Sequence, residues 1–312
     1  MQRHGPEISI PLNARGAAIA LGNFDGVHKG HQGVIESARA AAQLMGAPLA
    51  AAVFEPHPRR FFRPDAAPFR LQSSAQQTRA MAVLGVAHLF EIGFDHALTQ
   101  LSDRAFAEHV LSARLGVKHV SVGADFRFGP GRIGDVAALA HYGSELGFSV
   151  EEVAPVLDRS GTRISSSAIR EALERGDVAA ARERLTRPWA IAGVVERGVA
   201  RGKDFGFPTA NVALGDYIRP RLGVYAVRVD VGDGALHPAV ASIGVNPTFV
   251  TLQEPLLEAH LFDFSGDLLG WMIEVQIVEF LRDEVKFASV EALKAQMKQD
   301  AIAARAALAK AG

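Results

Sequence analysis

Short apolar runs alternate with longer stretches of helical periodicity from Ala17 to about Val153. This alternation predicts an α/β fold with a parallel sheet, because parallel strands need crossover helices between them. Glycines that end the helical stretches are typical C-terminal caps. The predicted strands are 17–21, 49–54, 86–92, 117–122 and 148–153, the predicted helices are 31–45, 74–84, 102–115 and 135–146, and the capping glycines are Gly46, Gly85, Gly116 and Gly147.

The pattern changes at residues 187–189 to period-two alternation with turn glycines, which predicts a small antiparallel β-barrel. After Ala-rich helices over 166–185, the predicted barrel is followed by a helix over about 289–309 that begins at Ser289. Because 312 residues suffice for two cores, we predict two domains, 1–185 and 186–312. The predicted barrel strands are 189–196, 223–231, 237–243, 255–263 and 271–280.

The composition limits the classes of partner. The 33 basic and 34 acidic residues give a formal net charge of −1, so we expect no nucleic-acid partner and no anionic membrane surface. The absence of cysteine excludes disulfides and thiol catalysis. Neither a membrane-spanning run nor a leader segment is recognisable, so we expect a cytoplasmic protein. The oligomeric state stays open.

Residues 22–31, GNFDGVHKGH, directly follow the first predicted strand and precede a predicted helix. Glycines let the backbone approach a polyphosphate, and a helix N-terminus presents free N–H groups and a positive dipole end. His28 and His31 lie about one turn apart, so the segment indicates a phosphate-binding turn for ATP. Two surface histidines are the alternative, and zinc is disfavoured because no third ligand lies at a suitable spacing. The binding candidates are Gly22, Asn23, Phe24, Asp25 and Gly30.

Three further segments of the first predicted domain carry candidate binding residues. Residues 54–58 follow the second strand and are stiffened by prolines, although a plain rigid loop is the alternative. Residues 122–129 interleave aromatic side chains with an acid and a base, which suits a planar ring and a phosphate or ribose, or else a core contact. Residues 164–170 place hydroxyls at a helix N-terminus, which suits pyrophosphate or an ordinary serine cap. The candidates are Phe54, His57, Pro58, Asp125, Phe126, Arg127, Phe128, Ser165, Ser166 and Arg170.

Residues 202–211, GKDFGFPTAN, combine a basic glycine-containing loop with two short polar side chains, Thr209 and Asn211. Their oxygens suit Mg²⁺ with nucleotide phosphates. Alternation along a later strand places Glu258 and His260 on the face opposite Leu257, so Glu258 is not forced into the core. A solvated strand acid is the alternative for Glu258. The further candidates of this domain are Gly202, Lys203, Gly206, Phe207, Pro208 and Arg282.

The string GFPTAN at residues 206–211 resembles the signature of riboflavin kinases. The first domain resembles the FMN adenylyltransferase half of the bacterial bifunctional flavin enzymes, the prokaryotic FAD synthetases. The resemblance extends from about Ala17 to Asp300, with the motifs in the family's order. It implies a Rossmann-like nucleotidyltransferase domain and a riboflavin kinase barrel with a C-terminal helix. The implied reactions are phosphorylation of riboflavin to FMN and adenylylation of FMN to FAD, with ATP as co-substrate and Mg²⁺ as cofactor.

In the first domain, the resemblance implies that His28 and His31 stabilise charge at the α-phosphorus of ATP while the FMN phosphate attacks it. Asp125 and Arg170 are then expected around the nucleotide and the pyrophosphate. Positioning and electrostatic stabilisation suffice for this chemistry, because the substrate phosphate is already a nucleophile.

In the second domain, the resemblance matches Thr209 and Asn211 to Mg-ATP positions and Glu258 to the base that activates the ribityl 5′-hydroxyl. Ser242 stands where the family usually has Asn, and Leu269 where it usually has Tyr. Two alternatives stay open on the residues alone. One is a monofunctional FMN adenylyltransferase whose barrel only binds flavin, and the other is a non-catalytic flavin or nucleotide sensor.

Overall fold

The computed structural model describes residues 1–197, 208–245 and 255–311. The chain forms two compact units. The N-terminal unit comprises Met1–Ala66 and Ser74–Ser165, and the barrel unit comprises Ala67–Ser73 and Ser166–Gly312. Residues 166–185 thus belong to the barrel unit, because Ile169, Leu173 and Leu185 share its hydrophobic core. The predicted boundary between residues 185 and 186, as a division of activities, stays a prediction.

The sheet of the N-terminal unit is parallel throughout, with the strand order β1-β4-β3-β2-β5-β6. Five of its strands correspond to the predicted ones, whereas β1 was not predicted because its three residues are polar or charged. The backbone of β1 pairs with β4, and the buried side chains of His4 and His88 contact each other at 3.1 Å. The strands are β1 (Gln2–His4), β2 (Ala18–Leu21), β3 (Leu49–Glu55), β4 (His88–Gly93), β5 (His119–Gly123) and β6 (Ser149–Val153).

Helices connect these strands at the predicted places. The glycines at positions 46, 85, 116 and 147 all have positive φ angles, between +61° and +81°, which confirms their role as caps. The predicted helix 102–115 is only briefly α-helical and continues as a π-helix, Phe106–Leu115. The helices are α1 (Lys29–Met45), α2 (Pro58–Phe62), α3 (Ser74–Val83), α4 (His96–Gln100), α5 (Asp103–Ala105) and α6 (Val136–Leu146), with short 3₁₀ turns at Leu12–Ala14 and Pro130–Arg132.

Both faces of the central strands are buried, as expected for a parallel sheet covered by helices. Ala18 and Ala20 of β2 face Ile35 and Ala38 of α1, whereas Ile19 packs into the cluster on the opposite face. Small side chains on these strands let α1 lie close to the sheet. The start of α1 is therefore fixed relative to the end of β2.

The barrel unit contains an antiparallel sheet with the strand order β7-β12-β9-β10-β11-β8 among its described strands. Its two ends meet where the Glu196 amide donates to the Asn211 carbonyl at 2.9 Å, which closes the barrel next to β8. The five predicted strands are present, and β8 is an addition within the segment that carries Thr209 and Asn211. The strands are β7 (Trp189–Val194), β8 (Ala210–Ala213), β9 (Gly223–Asp230), β10 (Leu236–Val245), β11 (Pro255–Leu261) and β12 (Met272–Arg282).

The remaining described helices of the barrel unit are α7 (Ser166–Glu174), α8 (Val178–Leu185) and α9 (Val290–Lys310). The Ser289 hydroxyl accepts a hydrogen bond from the Ala292 amide at 3.1 Å, which confirms the predicted N-cap of α9. Ala304 and Leu308 of α9 pack against Phe262 and Val278 outside the barrel. This packing holds α9 beside the end of β12.

Candidate active sites

The turn between β2 and α1 places two imidazoles at the helix N-terminus. His28 is the N-cap of α1, and its Nδ1 accepts a hydrogen bond from the His31 amide at 3.2 Å. The two rings are stacked, with centroids 3.6 Å apart and an angle of 14° between their planes. Phe24 contacts His31 edge-on at 5.2 Å. The predicted pair therefore lies together where free N–H groups and the helix dipole favour an anion.

The backbone of this turn has an uncommon conformation. Phe24 and Val27 have φ angles of 50° and 42°, which non-glycine residues rarely adopt. Both side chains are buried, and the Gln77 side chain donates to the Asn23 carbonyl at 2.8 Å. Gln32 donates to the Val27 carbonyl at 3.0 Å. These contacts hold the turn in one shape.

Other residues of the turn are arranged around the two histidines. A Cβ at Gly30 would lie 3.2 Å from the His28 ring and 3.5 Å from the Ile164 carbonyl, so the glycine leaves room for that ring. Asp25 is buried. Among the described residues, the buried Asn23 Oδ1 has no hydrogen-bond partner in the protein. A ligand that donates a hydrogen bond to Asn23 would remove the cost of this buried, unsatisfied acceptor.

The loops after β3 and β5 lie beside this turn. Since β2 pairs with both strands in parallel, the carboxyl ends of all three strands meet at one edge of the sheet. After β3, the His57 Nδ1 accepts from the Arg59 amide at 3.0 Å and caps α2, which begins at Pro58. After β5, the exposed Asp125 forms an ion pair with Arg163 at 2.7 Å.

The aromatic candidates are partly core residues. Phe128 is buried and stacks on Phe126 with centroids 5.6 Å apart. Phe54 is half-buried and packs edge-on against Phe94 at 5.7 Å. The exposed Arg127 donates to the Phe126 carbonyl at 2.8 Å. The aromatic rings therefore stabilise the loops after β3 and β5, and their contacts with a flavin stay a prediction.

The predicted segment 164–170 is divided between the two units, since Ser165 ends the N-terminal unit and Ser166 begins α7. Within the barrel unit, Arg170 donates through Nε to the Phe69 carbonyl at 2.7 Å. Its guanidinium also lies over the Phe69 ring, at 5.5 Å from the centroid. The expected contact of Arg170 with pyrophosphate stays a prediction.

The barrel unit brings polar residues from three strands into one row. Glu258 on β11 lies directly opposite Asn211 on β8 and opposite Ser242 on β10. Directly opposite side chains of antiparallel strands share one face. Leu257 and Ala259 are completely buried on the other face, which confirms the predicted alternation.

The surroundings of the row determine its chemistry. Burial raises the pKa of Glu258, and the nearby Glu284 carboxylate raises it further, so Glu258 is more basic than an ordinary glutamate. Asn211 is buried and donates through Nδ2 to the Thr209 carbonyl at 3.3 Å. His260 donates to the Pro208 carbonyl at 2.9 Å, which fixes the start of β8 beside β11.

The other candidates of the barrel unit have different positions. Arg282 forms a bidentate ion pair with Asp300 of α9, at 2.7 Å and 2.6 Å. The candidates Gly202, Lys203, Gly206 and Phe207 lie outside the described residues. Sequence reasoning missed Gln77, Glu284 and Asp300. Nothing in the local pattern of these three residues distinguishes them, because their partners are distant in the sequence.

Two family models match separate segments of this chain. The family model described as FAD synthetase matches residues 10–168, and the model described as riboflavin kinase matches residues 185–308.

Among the helices that the structure describes, none is both long enough and apolar enough to span a membrane.

Relatives cover nearly the whole chain. A bifunctional riboflavin kinase/FMN adenylyltransferase of Pseudomonas fluorescens is 43% identical over 94% of this chain and 93% of its own length. Its Escherichia coli K12 counterpart is 39% identical over 93% of this chain and 92% of its own length. A solved structure described as a macrolide-efflux protein from Streptococcus pneumoniae shares the fold, with a TM-score of 0.84, 32% identity and 96% coverage of both chains. The chain belongs to the bifunctional riboflavin kinase/FMN adenylyltransferase family, whose members phosphorylate riboflavin to FMN and adenylylate FMN to FAD.

Proposed function

We propose that the two reactions of this enzyme take place at separate sites, with adenylyl transfer at residues 22–31 and phosphorylation at the row of Asn211, Glu258 and Ser242. The stacked His28 and His31 at the N-terminus of α1 are the observation that carries the first assignment. The register that sets Glu258 opposite Asn211 carries the second. We assign adenylyl transfer to the predicted domain 1–185 and kinase activity to 186–312.

In adenylyl transfer, an oxygen of the FMN phosphate attacks the α-phosphorus of ATP, and pyrophosphate leaves. The phosphate needs no base, so the protein contributes orientation and charge stabilisation. Because the His28 Nδ1 accepts a hydrogen bond from the His31 amide, a neutral His28 carries its proton on Nε2. We assign this N–H as a donor to a phosphate oxygen once ATP is bound. The amides at the start of α1 and the imidazole of His31 supply further hydrogen-bond donors to the negative charge on the phosphate oxygens.

The remaining candidates of the N-terminal unit are assigned to substrate binding. Asn23 and Asp25 would bind the nucleotide together with the glycines of the turn. The loops after β3 and β5, with His57 and Phe126, would bind the flavin. The observation in support is that both loops leave the sheet at the edge where the imidazole pair lies.

In the kinase reaction, Glu258 removes the proton of the ribityl 5′-hydroxyl as that oxygen attacks the γ-phosphorus of ATP, and ADP leaves. A raised pKa suits this role, because a more basic carboxylate accepts the proton more readily. Such assistance is typically worth about 10² to 10⁴ in rate.

The residues beside Glu258 fit Mg²⁺. The Asn211 amide nitrogen donates to the Thr209 carbonyl, so its Oδ1 is the atom of this side chain that can serve as an oxygen ligand, and Thr209 adds a hydroxyl. Thr209 and Asn211 would hold the ion. Mg²⁺ there would neutralise charge on the phosphates of ATP.

The expectation of a cytoplasmic protein that binds neither nucleic acid nor a membrane stays a prediction.

Two single substitutions test the division of activities. Purified His31→Ala and Glu258→Gln proteins are incubated with ATP and Mg²⁺, from riboflavin in one reaction and from FMN in another, and the flavins are separated by liquid chromatography. We expect His31→Ala to form FMN but no FAD, and Glu258→Gln to form FAD from FMN but no FMN from riboflavin. Loss of both activities from one substitution in a folded protein would contradict separate sites.

A further inference from the structure

A second carboxylate lies on the same face of the barrel as Glu258. Gly244 follows Ser242 by two positions on β10 and therefore points to the same side of the sheet. A Cβ at Gly244 would overlap the carboxylate of Glu284, so this carboxylate lies directly over the Gly244 backbone. The Glu284 charge also acts on Glu258, although burial has the larger effect on the pKa of that residue. Glu258 and Glu284 therefore form one acidic surface beside Ser242.

Two bidentate ion pairs fix the backbone that precedes Glu284. Arg282 binds Asp300 of α9 through Nε and Nη2, and Gln296 donates to the same carboxylate at 2.9 Å. Asp283 receives both Nε and Nη2 of Arg221, at 2.7 Å and 2.6 Å. Because Arg282 and Asp283 are each held by a bidentate ion pair, the backbone that leads into Glu284 is anchored before any ligand binds. Such preorganisation is typical of a group that orients a substrate.

We propose that Glu284 accepts a hydrogen bond from a secondary hydroxyl of the ribityl chain and thereby directs the 5′-hydroxyl to Glu258. This inference rests on the proposed role of Glu258 as the base. An ionised carboxylate only accepts hydrogen bonds, and the ribityl chain presents several hydroxyl donors along its length. The phosphates of ATP are anions, so two neighbouring carboxylates favour a polyol over a phosphate at this surface.

Gly244 and Arg282 both determine where the Glu284 carboxylate lies. Gly244 provides the space in which the Glu284 carboxylate lies. Arg282 was a candidate for direct ATP or flavin binding, but its guanidinium binds Asp300, and its Nη1 donates to the Asp283 carbonyl at 2.8 Å. Arg282 is a positioning residue for Glu284 in this account.

The test is a comparison of acceptors in the Glu284→Ala protein. Kinase kcat/KM is measured at saturating Mg-ATP with riboflavin and with its 2′-, 3′- and 4′-deoxy analogues, each of which keeps the 5′-hydroxyl. In the unaltered protein, we expect one analogue to react roughly 10- to 100-fold less efficiently than riboflavin, as for a lost hydrogen bond to a charged group. Glu284→Ala should lower the value for riboflavin by the same factor and leave that analogue unchanged.

Further variants separate this effect from a structural one. Glu284→Gln keeps an acceptor oxygen and should lose less than Glu284→Ala. Gly244→Ala should displace the carboxylate and resemble Glu284→Ala. Glu291→Gln, an exposed carboxylate in the first turn of α9, is the control and should behave like the unaltered protein. The KM for ATP and the conversion of FMN to FAD should be unchanged in all four.

Three results for Glu284→Ala would overturn the inference. They are an equal loss of kcat/KM with riboflavin and every deoxy analogue, an unaltered ratio of kcat/KM between riboflavin and the analogues, and a change confined to a raised KM for ATP. The role of Glu258 is tested separately, because Glu258→Gln should lower kcat with every acceptor. If Glu258→Gln were inactive and Glu284→Ala kept the original ratio of kcat/KM between riboflavin and its deoxy analogues, the role of Glu284 would be contradicted and that of Glu258 would stand. A fully active Glu258→Gln would contradict the proposed base.

Discussion

Glu258 and Asn211 lie directly opposite each other on adjacent antiparallel strands, although 46 residues separate them in the sequence. This register brings the proposed base and a proposed Mg²⁺ ligand onto one face of the barrel. A shift by one residue would turn Glu258 into the core and Leu257 towards solvent. The strand would then lose its hydrophobic burial and bury a carboxylate, so this register is strongly disfavoured. The same burial that stabilises the barrel therefore fixes the geometry of the kinase site.

Gly30→Ala should impair FAD formation, because the added methyl group would displace the His28 ring from the N-terminus of α1. We expect a loss on the order of 10- to 100-fold in the conversion of FMN to FAD, with riboflavin phosphorylation unchanged. Gly33→Ala in the same helix is the matched control, since a Cβ there would have an ordinary 3.8 Å contact with Val153. Equal activities of the two variants would show that His28 does not need its observed position.

Gln77→Leu should loosen the turn between β2 and α1. Gln77 is buried and donates to the Asn23 carbonyl at 2.8 Å, so its replacement removes a hydrogen bond from this partly buried acceptor. We expect a loss of about 1 to 3 kcal/mol in the free energy of unfolding and a higher KM for ATP in FAD formation. Urea denaturation and initial rates measure both quantities.

Thr78→Ala serves as the control for Gln77→Leu, because the exposed Thr78 hydroxyl donates to the Ser74 carbonyl at 2.8 Å within its own helix. An unfolding free energy equal in both variants would contradict a special role for Gln77.

Asp300→Asn should destabilise the barrel unit, because Asp300 is buried and its carboxylate binds Arg282 through two hydrogen bonds. Breaking such a pair costs roughly 3 kcal/mol, which chemical denaturation measures. Asp263→Asn is the control. Asp263 forms an ion pair with Arg305, which lies in α9 like Asp300, and this pair is exposed. We expect little change there. Similar losses in both variants would contradict the assigned importance of burial.

The buried pair of His4 and His88 should make stability depend on pH. Burial lowers the pKa of both side chains, and in His88 the neighbouring His4 adds to the effect. The unfolded chain therefore binds more protons near its ordinary histidine pKa of 6.5, so this contribution to stability is present above pH 6.5 and is lost as the pH falls below it. The free energy of unfolding between pH 8 and pH 5 should fall less steeply in His88→Asn than in the unaltered protein. Identical slopes would contradict this assignment.

The fold class was predictable because local signals agreed with the global structure. Apolar runs, helical periods and the glycines at 46, 85, 116 and 147 all marked the same elements. Strand β1 was not predictable from Gln2, Arg3 and His4, since only its pairing with β4 makes it a strand. Strand β8 was missed because four residues after a polar loop carry little period-two signal.

The sites were predictable only where the chemistry is local. His28 and His31 are three residues apart and share one helix turn, so spacing alone indicated their proximity. Glu284 follows Arg282 and Asp283 in a charged run that predicts a solvated segment. Its position depends on Gly244, Asp300 and Arg221, and these contacts arise from tertiary packing that a single strand pattern does not contain.

Mixing the His31→Ala and Glu258→Gln proteins tests the central claim of two separate sites most directly. Each protein alone, given riboflavin, ATP and Mg²⁺, should form no FAD. The mixture should form FAD, because the FMN that the first protein releases is a substrate for the second. If the mixture formed no FAD while each protein kept its own single activity, the account of two independently working sites would be contradicted.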